Sequence, residues 1–177
     1  ISYHVQKRLF GKNKWMEDVR PLLADKSLTD PNLDFADFSK GGMAWATQPD
    51  GRIDSLPFNI DPWVIYYNKE LFDAKGIAYP RSFAAIVDAA AKLNDPAKGI
   101  SGFVARGLKN ANVPVWTSFL LGYGGGFVDA QGKLLTDTGA AIDSAKMYQT
   151  LLGKYGPQGV AGFNWNDADP GENDLLP

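Results

Sequence analysis

Between residues 63 and 76 the chain carries a strand signal followed directly by a helix signal, and the recurrence of that pairing constrains the fold more than any other feature. Trp63-Val64-Ile65-Tyr66-Tyr67 is an uninterrupted aromatic and β-branched run, the composition of a largely buried strand. Asn68 then offers a side-chain cap to a short helix, Lys69 to Lys75, which Gly76 ends. Pro80 and Ser82 open a second helix, Phe83 to Asn94, with Phe83, Ile86, Val87, Ala90 and Leu93 on one face. Gly102-Phe103-Val104-Ala105 reads as the next strand. Pro114 and Gly122 bracket a third helix carrying Trp116, Phe119 and Leu120, and Gly124-Gly125-Gly126 stops it. After a hairpin-type turn at Asp129-Ala130-Gln131-Gly132-Lys133, Asp137 caps the longest helix, which stacks Ile142, Ala145, Tyr148, Leu151, Leu152 and Tyr155 before Gly156-Pro157 ends it. Strands alternating with helices of this length predict an α/β layered domain.

Upstream the signals are weaker. Ile1-Ser2-Tyr3-His4-Val5 reads as the middle of a strand, and Trp15, Val19, Leu22 and Leu23 give a short helix or turns around Pro21. Asp34 is placed to cap a helix over Phe35–Ala46, with Phe35, Phe38, Met43 and Ala46 on one side and Gly41-Gly42 weakening it. Pro49-Asp50-Gly51-Arg52 forms a tight turn before an alternating strand, Ile53-Asp54-Ser55-Leu56. The start lacks an initiator methionine, and Leu175-Leu176 begins an apolar pattern that does not develop, so the expectation is a piece of a longer chain.

Several function classes are disfavoured by composition. The 177 residues carry 18 Lys+Arg against 20 Asp+Glu, so no overall positive field favours a nucleic-acid partner. The absence of cysteine excludes disulfides, thiolate nucleophiles and thiolate metal sites. No apolar run reaches the roughly 18 residues that span a bilayer. Gly122-Tyr123-Gly124-Gly125-Gly126-Phe127 follows a helix, and Phe127 stands where a dinucleotide loop needs glycine. Phe127 and Leu134 likewise break the phosphate-loop pattern around Gly132-Lys133. The single histidine, His4, has no partner at metal or triad spacing, and Gly171 interrupts the acidic run Asp167, Asp169, Glu172, Asp174 where a calcium loop wants a ligand. No metal or cofactor is expected.

What remains is a set of aromatics and amides near strand ends and in loops: Trp63, Trp116, Trp165, Tyr3, Asn59, Asn110, Asn112, Asn164 and Asn166, with Asp61 and Arg106. Sugars and polyols call for this mixture, because their C–H faces pack on flat rings while their hydroxyls need donors and acceptors at fixed positions.

The run Leu56-Pro57-Phe58-Asn59-Ile60-Asp61-Pro62-Trp63-Val64-Ile65-Tyr66-Tyr67-Asn68-Lys69-Glu70-Leu71-Phe72 resembles the crossover segment of the family 1 extracellular solute-binding proteins of ABC transporters, the maltose-binding-protein-like group. The resemblance continues in register through Gly76, Pro80 and the Phe83–Leu93 helix, with Phe83 where tryptophan is usual. It goes on through Asp95-Pro96, Lys98-Gly99, Gly102-Phe103, Gly124-Gly125-Gly126, Asp129, Gly132-Lys133 and Lys154-Tyr155-Gly156-Pro157. It implies part of a two-lobed (type II) periplasmic-binding-protein fold: residues 1–57 an incomplete portion of lobe one ending in the crossover strand, and 58–177 the first pass of lobe two.

The resemblance further implies a non-enzymatic, periplasmic or extracellular protein that binds a sugar or sugar alcohol in an interlobe cleft. Such a protein hands its ligand to ABC transporter membrane subunits and is membrane-associated through them. By position, Asp61 matches a ligand-contacting acid, Trp116 a stacking aromatic, and Tyr3 and Gln6 a lobe-one contact loop. Asn59, Arg106 and Trp165 complete the candidate set, and Trp63 reads equally as a ligand-facing or a core ring. The alternative is a glycosidase with paired carboxylates, for which Asp61 has no evident second carboxylate.

Overall fold

The computed structural model describes residues 4–59 and 62–164. The chain divides into two compact units, Ile1–Pro62 and Trp63–Pro177.

The first unit is built around polar side chains. It holds a helix, α1 (His4–Lys12), which takes in the last two residues of the strand expected over Ile1–Val5; the first three lie outside the described residues. The helix repeat is carried by Lys7 and Gly11, both buried, and not by apolar residues, so hydrophobic periodicity does not reveal it. Lys7 is 5% exposed; its ammonium donates to the Trp45 carbonyl (3.1 Å) and to Ser55 Oγ, and lies 2.8 Å from Asp54 Oδ1. Gln48 closes the network by donating to the Lys7 carbonyl (3.2 Å) and to Asp54 Oδ2. A Cβ on Gly11 would sit 2.1 Å from Gln48 Cδ, so a larger residue there would have to push the Gln48 amide out of this network.

A short helix, α2 (Arg20–Ala24), begins at the proline-containing turn, as the sequence suggests. The helix expected over Phe35–Ala46 is broken in two. Asp34 caps only a 3-10 turn, Phe35–Asp37, and Ser39 caps a separate α3 (Lys40–Ala46) through the Gly42 amide. The strand expected at Ile53–Leu56 reduces to one antiparallel bridge, Thr47↔Ile53, flanked by Gln48 N–H to Arg52 O and Asp54 N–H to Ala46 O. Ala46 is already the last residue of α3, so the ladder has no extended partner on which to lengthen.

The second unit has an apolar centre. Asn68 caps α4 (Lys69–Ala74), its Oδ1 accepting from the Leu71 amide at 3.0 Å, and Ser82 caps α5 (Phe83–Leu93) in the same way. Helices α6 (Asn112–Gly122) and α7 (Gly139–Tyr155) pack on each other, and α5 packs on α7. Ile86 and Ala90 of α5, Val115 and Phe119 of α6, and Met147 and Leu151 of α7 form the main core. Phe72, Ala89 and Leu93 form a second cluster between α4 and α5.

Two details of α7 depart from the sequence reading. Thr138, one residue after Asp137, is the cap. The buried face is Ala141, Ser144, Met147, Leu151 and Leu152, rotated from the expected stripe so that Ile142 and Ala145 lie exposed and Tyr148 half-buried. Ser144 explains the rotation: fully buried, its hydroxyl receives one hydrogen bond and donates another, so it behaves as a satisfied core residue.

The segments Trp63–Tyr67 and Gly102–Ala105 are not assigned to strand ladders; among the described residues the only β pairings are three isolated bridges. Trp63, Val64, Ile65, Tyr66 and Tyr67 are all exposed, contrary to the expected burial. Their composition suits a sheet interior, but a ladder needs a neighbouring edge about 4.8 Å away, and none of the described residues supplies it. Gly102–Ala105 lies against the core: Phe103 and Ala105 pack on the cluster, Phe103 N–H donates to Tyr155 O (3.1 Å), and a Cβ on Gly102 would stand 2.0 Å from the Ala90 carbonyl.

Candidate functional site

Close packing in the second unit places several of the expected site residues side by side. Asn110 adopts a left-handed backbone (φ 72°) and leads into α6. Asn112 and Trp116, four residues apart, then fall on one face of that helix. The Trp116 indole N–H donates to Ser144 Oγ (3.0 Å), and Ser144 donates on to the Ala141 carbonyl (2.8 Å). Phe127 meets the indole edge-on at 5.8 Å between ring centroids. The ring orientation is therefore fixed from two sides, while the side chain remains only half-buried.

Asn112, Val113 and Trp116 from α6, with Ala145 and Tyr148 from α7, line an open hollow of about 220 Å3. That is smaller than the roughly 300–1,000 Å3 of complete small-molecule pockets and suits one wall of a site. Tyr148 Oη donates its proton to the Arg106 carbonyl, which brings the Arg106 backbone to the rim of the hollow. Burial pushes the Tyr148 hydroxyl up to about 12, so it stays a neutral phenol with lone pairs available to accept. The Arg106 guanidinium lies over Trp63, 4.9 Å from the ring centroid, and among the described residues it makes no ion pair.

Of the residues singled out from sequence, Asn112 and Trp116 line the hollow; Arg106 is tied to it through its carbonyl on Tyr148, and Trp63 lies against the Arg106 guanidinium. Asn59 and Gln6 lie exposed in the first unit. Tyr3, Asp61 and Trp165 lie outside the described residues, as does the acidic run from Asp167 to Asp174. Tyr148 and Ser144 were missed as site residues, because a tyrosine and a serine on a mostly apolar helix read as core. The available signal was their i, i+4 spacing, which puts two hydroxyls on the same side of α7.

A larger hollow, about 380 Å3, lies in the first unit among Arg8, Gly11, Lys12, Gln48, Pro49, Asp50 and Arg52. It has no aromatic wall. Two of its cations already bond protein oxygens, Arg8 the Thr47 carbonyl and Arg52 both the Gly11 carbonyl and Asp50. Among the described residues no group of three or more His, Cys, Asp or Glu side chains is placed to hold a metal ion.

Comparisons with known proteins bear on this arrangement. The sequence matches the family model for bacterial extracellular solute-binding proteins over residues 2–172. A mannitol-binding protein of Pseudomonas aeruginosa is 27% identical over 166 residues, covering 89% of this chain and 36% of that protein. An ABC transporter solute-binding protein from Agrobacterium radiobacter K84, solved in complex with ribitol, aligns with a TM-score of 0.77 at 22% identity, covering 97% of this chain and 48% of that one. A second, from Agrobacterium vitis S4 with bound D-mannitol, gives a TM-score of 0.70 at 23% identity, covering 93% and 39%. This chain therefore spans less than half the length of each protein it matches here. The structural likeness shows the fold, α/β and part of the two-lobed type II periplasmic-binding-protein architecture. With the family pattern running from residue 2 to residue 172, the chain belongs to the bacterial extracellular solute-binding proteins.

Proposed function

We propose that this chain is part of the substrate-binding component of an ABC importer, which takes a sugar or sugar alcohol against the Trp116 face and delivers it to membrane transporter subunits. The observation that carries the reading is the hollow between α6 and α7, where a fixed indole, an amide and a phenol whose proton is donated to the Arg106 carbonyl stand around open space. A polyol's C–H face packs on the Trp116 ring, its hydroxyls exchange hydrogen bonds with the Asn112 amide, and Tyr148 Oη accepts. The mannitol-binding relative and the ribitol and mannitol complexes support a polyol as the ligand class. Binding and release require no bond chemistry, so the role is non-enzymatic, and the family points to a periplasmic or extracellular location.

In this reading residues 1–57 are an incomplete portion of lobe one ending in the crossover strand and 58–177 form the first pass of lobe two, within a polypeptide about twice as long or more, by comparison with the relatives. The remainder of that polypeptide is the partner for the exposed run Trp63–Tyr67 and supplies further ligand contacts. Asp61 is the strongest additional ligand candidate, followed by Asn59, Tyr3, Gln6 and Trp165. A thermal-shift screen of the complete polypeptide against monosaccharides, pentitols, hexitols and oligosaccharides tests the reading, since ligand binding raises the melting temperature by mass action. Asp61→Ala is expected to weaken the best ligand by about ten- to a hundredfold, the loss of one or two charge-assisted hydrogen bonds. No shift with any sugar or polyol overturns the proposal.

A further inference from the structure

The face of an aromatic ring can carry a ligand or a cation, and at Trp63 a cation already occupies one. The Arg106 guanidinium lies 4.9 Å from the Trp63 ring centroid, while the Arg106 carbonyl accepts from Tyr148 Oη, so the residue is gripped at both its side chain and its backbone. Among the described residues the guanidinium has no carboxylate partner, and its N–H fork is left uncommitted. An unheld arginine is among the most mobile side chains and loses that freedom when it grips a ligand; stacking on indole restricts it beforehand. A guanidinium carries parallel N–H donors, a match for two adjacent hydroxyl oxygens of a polyol.

We propose that Trp63 is a positioning residue: it holds the Arg106 guanidinium as a pre-set donor fork for a vicinal diol, and the ligand does not pack on Trp63 itself. This rests on the polyol reading of the Trp116 face. It divides the work among three side chains, with Trp116 as the packing surface, Arg106 as the donor and Trp63 as the support of that donor.

A double-mutant cycle in the complete polypeptide, read by titration calorimetry with D-mannitol and with ribitol, tests this. Trp63→Leu and Arg106→Gln are each expected to raise Kd about tenfold, and the double variant is expected to bind no more weakly than Arg106→Gln alone. Trp63→Phe, which keeps a ring under the guanidinium, is expected to stay within about threefold of wild type. Melting temperatures are recorded alongside, and Trp63→Gln provides a second, polar truncation if the leucine variant does not fold. A Trp63 loss that persists in full on the Arg106→Gln background overturns the inference and makes Trp63 a direct ligand contact. Wild-type affinity in Trp63→Leu also overturns it. Binding of neither polyol by the wild-type protein overturns the polyol reading of the site and this inference with it, which separates the two failures.

Discussion

The two units of this chain are stabilised by different physics. In Ile1–Pro62 the buried side chains are chiefly Lys7, Gln48 and Asp54, with Ala46 the only buried hydrophobic residue among those described. In Trp63–Pro177 twelve of the thirteen buried hydrophobic residues gather, including Leu120 and Leu151 at full burial. Apolar burial contributes about 1.5–3 kcal/mol for each large side chain and is indifferent to direction. A buried ion pair offsets its desolvation only when its geometry is good, and then defines position more than it adds stability. The first unit is accordingly specified by a few directional contacts that tie α1 to the Thr47–Ser55 segment. The second is specified by volume, and it is the second that leaves a tryptophan, Trp116, half-exposed beside an open hollow.

The comparison can be broken most directly at Asp54. Asp54→Ala leaves the Lys7 ammonium buried without its counter-charge and is expected to destabilise the first unit by about 3–5 kcal/mol. The double variant Lys7→Met/Asp54→Leu should recover most of that loss, because a buried pair replaced by apolar side chains is often close to neutral. Urea denaturation with amide exchange followed in α1 and α7 assigns the effect to one unit. Equal losses in single and double variants would mean that the charges do not matter there. The matching test in the second unit is Leu151→Ala, at a fully buried site between α5, α6 and α7. It is expected to cost about 2–5 kcal/mol, with exchange rising in α5–α7.

How much of this was legible in the sequence follows the same division. In the second unit the Asn68 and Ser82 caps, the α5 face and the hairpin turn at Asp129–Lys133 all emerge where residue chemistry places them, because each is set locally or by apolar period. The α7 stripe was read about one residue off, since Ser144 counts as polar in a pattern and as buried in the structure. In the first unit helix α1 was invisible: its inward residues, Lys7 and Gly11, carry no hydrophobic signal, and their partners Gln48 and Asp54 are some forty residues away. Of the site, Trp116, Arg106 and Trp63 could be named from residue type, but their link through Tyr148 depends on how α7 faces Arg106.

The smallest effect expected is at the surface of the first unit. The Arg20 side chain bonds the Asp18 carboxylate and, outweighing an opposing desolvation, holds it at about 2, below the ordinary aspartate value of 3.8. A carboxylate depressed on folding stabilises above the unfolded value and loses that contribution as pH falls through the folded one. The contribution should therefore be complete above about pH 4 and fade toward pH 2, and Asp18→Asn should flatten the acid limb of stability in that window. Carboxyl-carbon NMR titration checks it; a midpoint near 3.8 would show that the pairing does not persist in water.

The central claim is that the second unit keeps Trp116 in place to bind and not to fold. Trp116 is half-buried, anchored by its N–H on Ser144, and turned toward the hollow lined by Asn112 and Tyr148. The decisive measurement is calorimetric titration of a polyol into Trp116→Ala in the complete polypeptide, alongside its melting temperature. The account predicts an affinity loss of about tenfold or more, with destabilisation well short of the roughly 3–5 kcal/mol that removing a core tryptophan costs. Wild-type affinity together with a collapsed melting temperature would place Trp116 in the core and contradict the account.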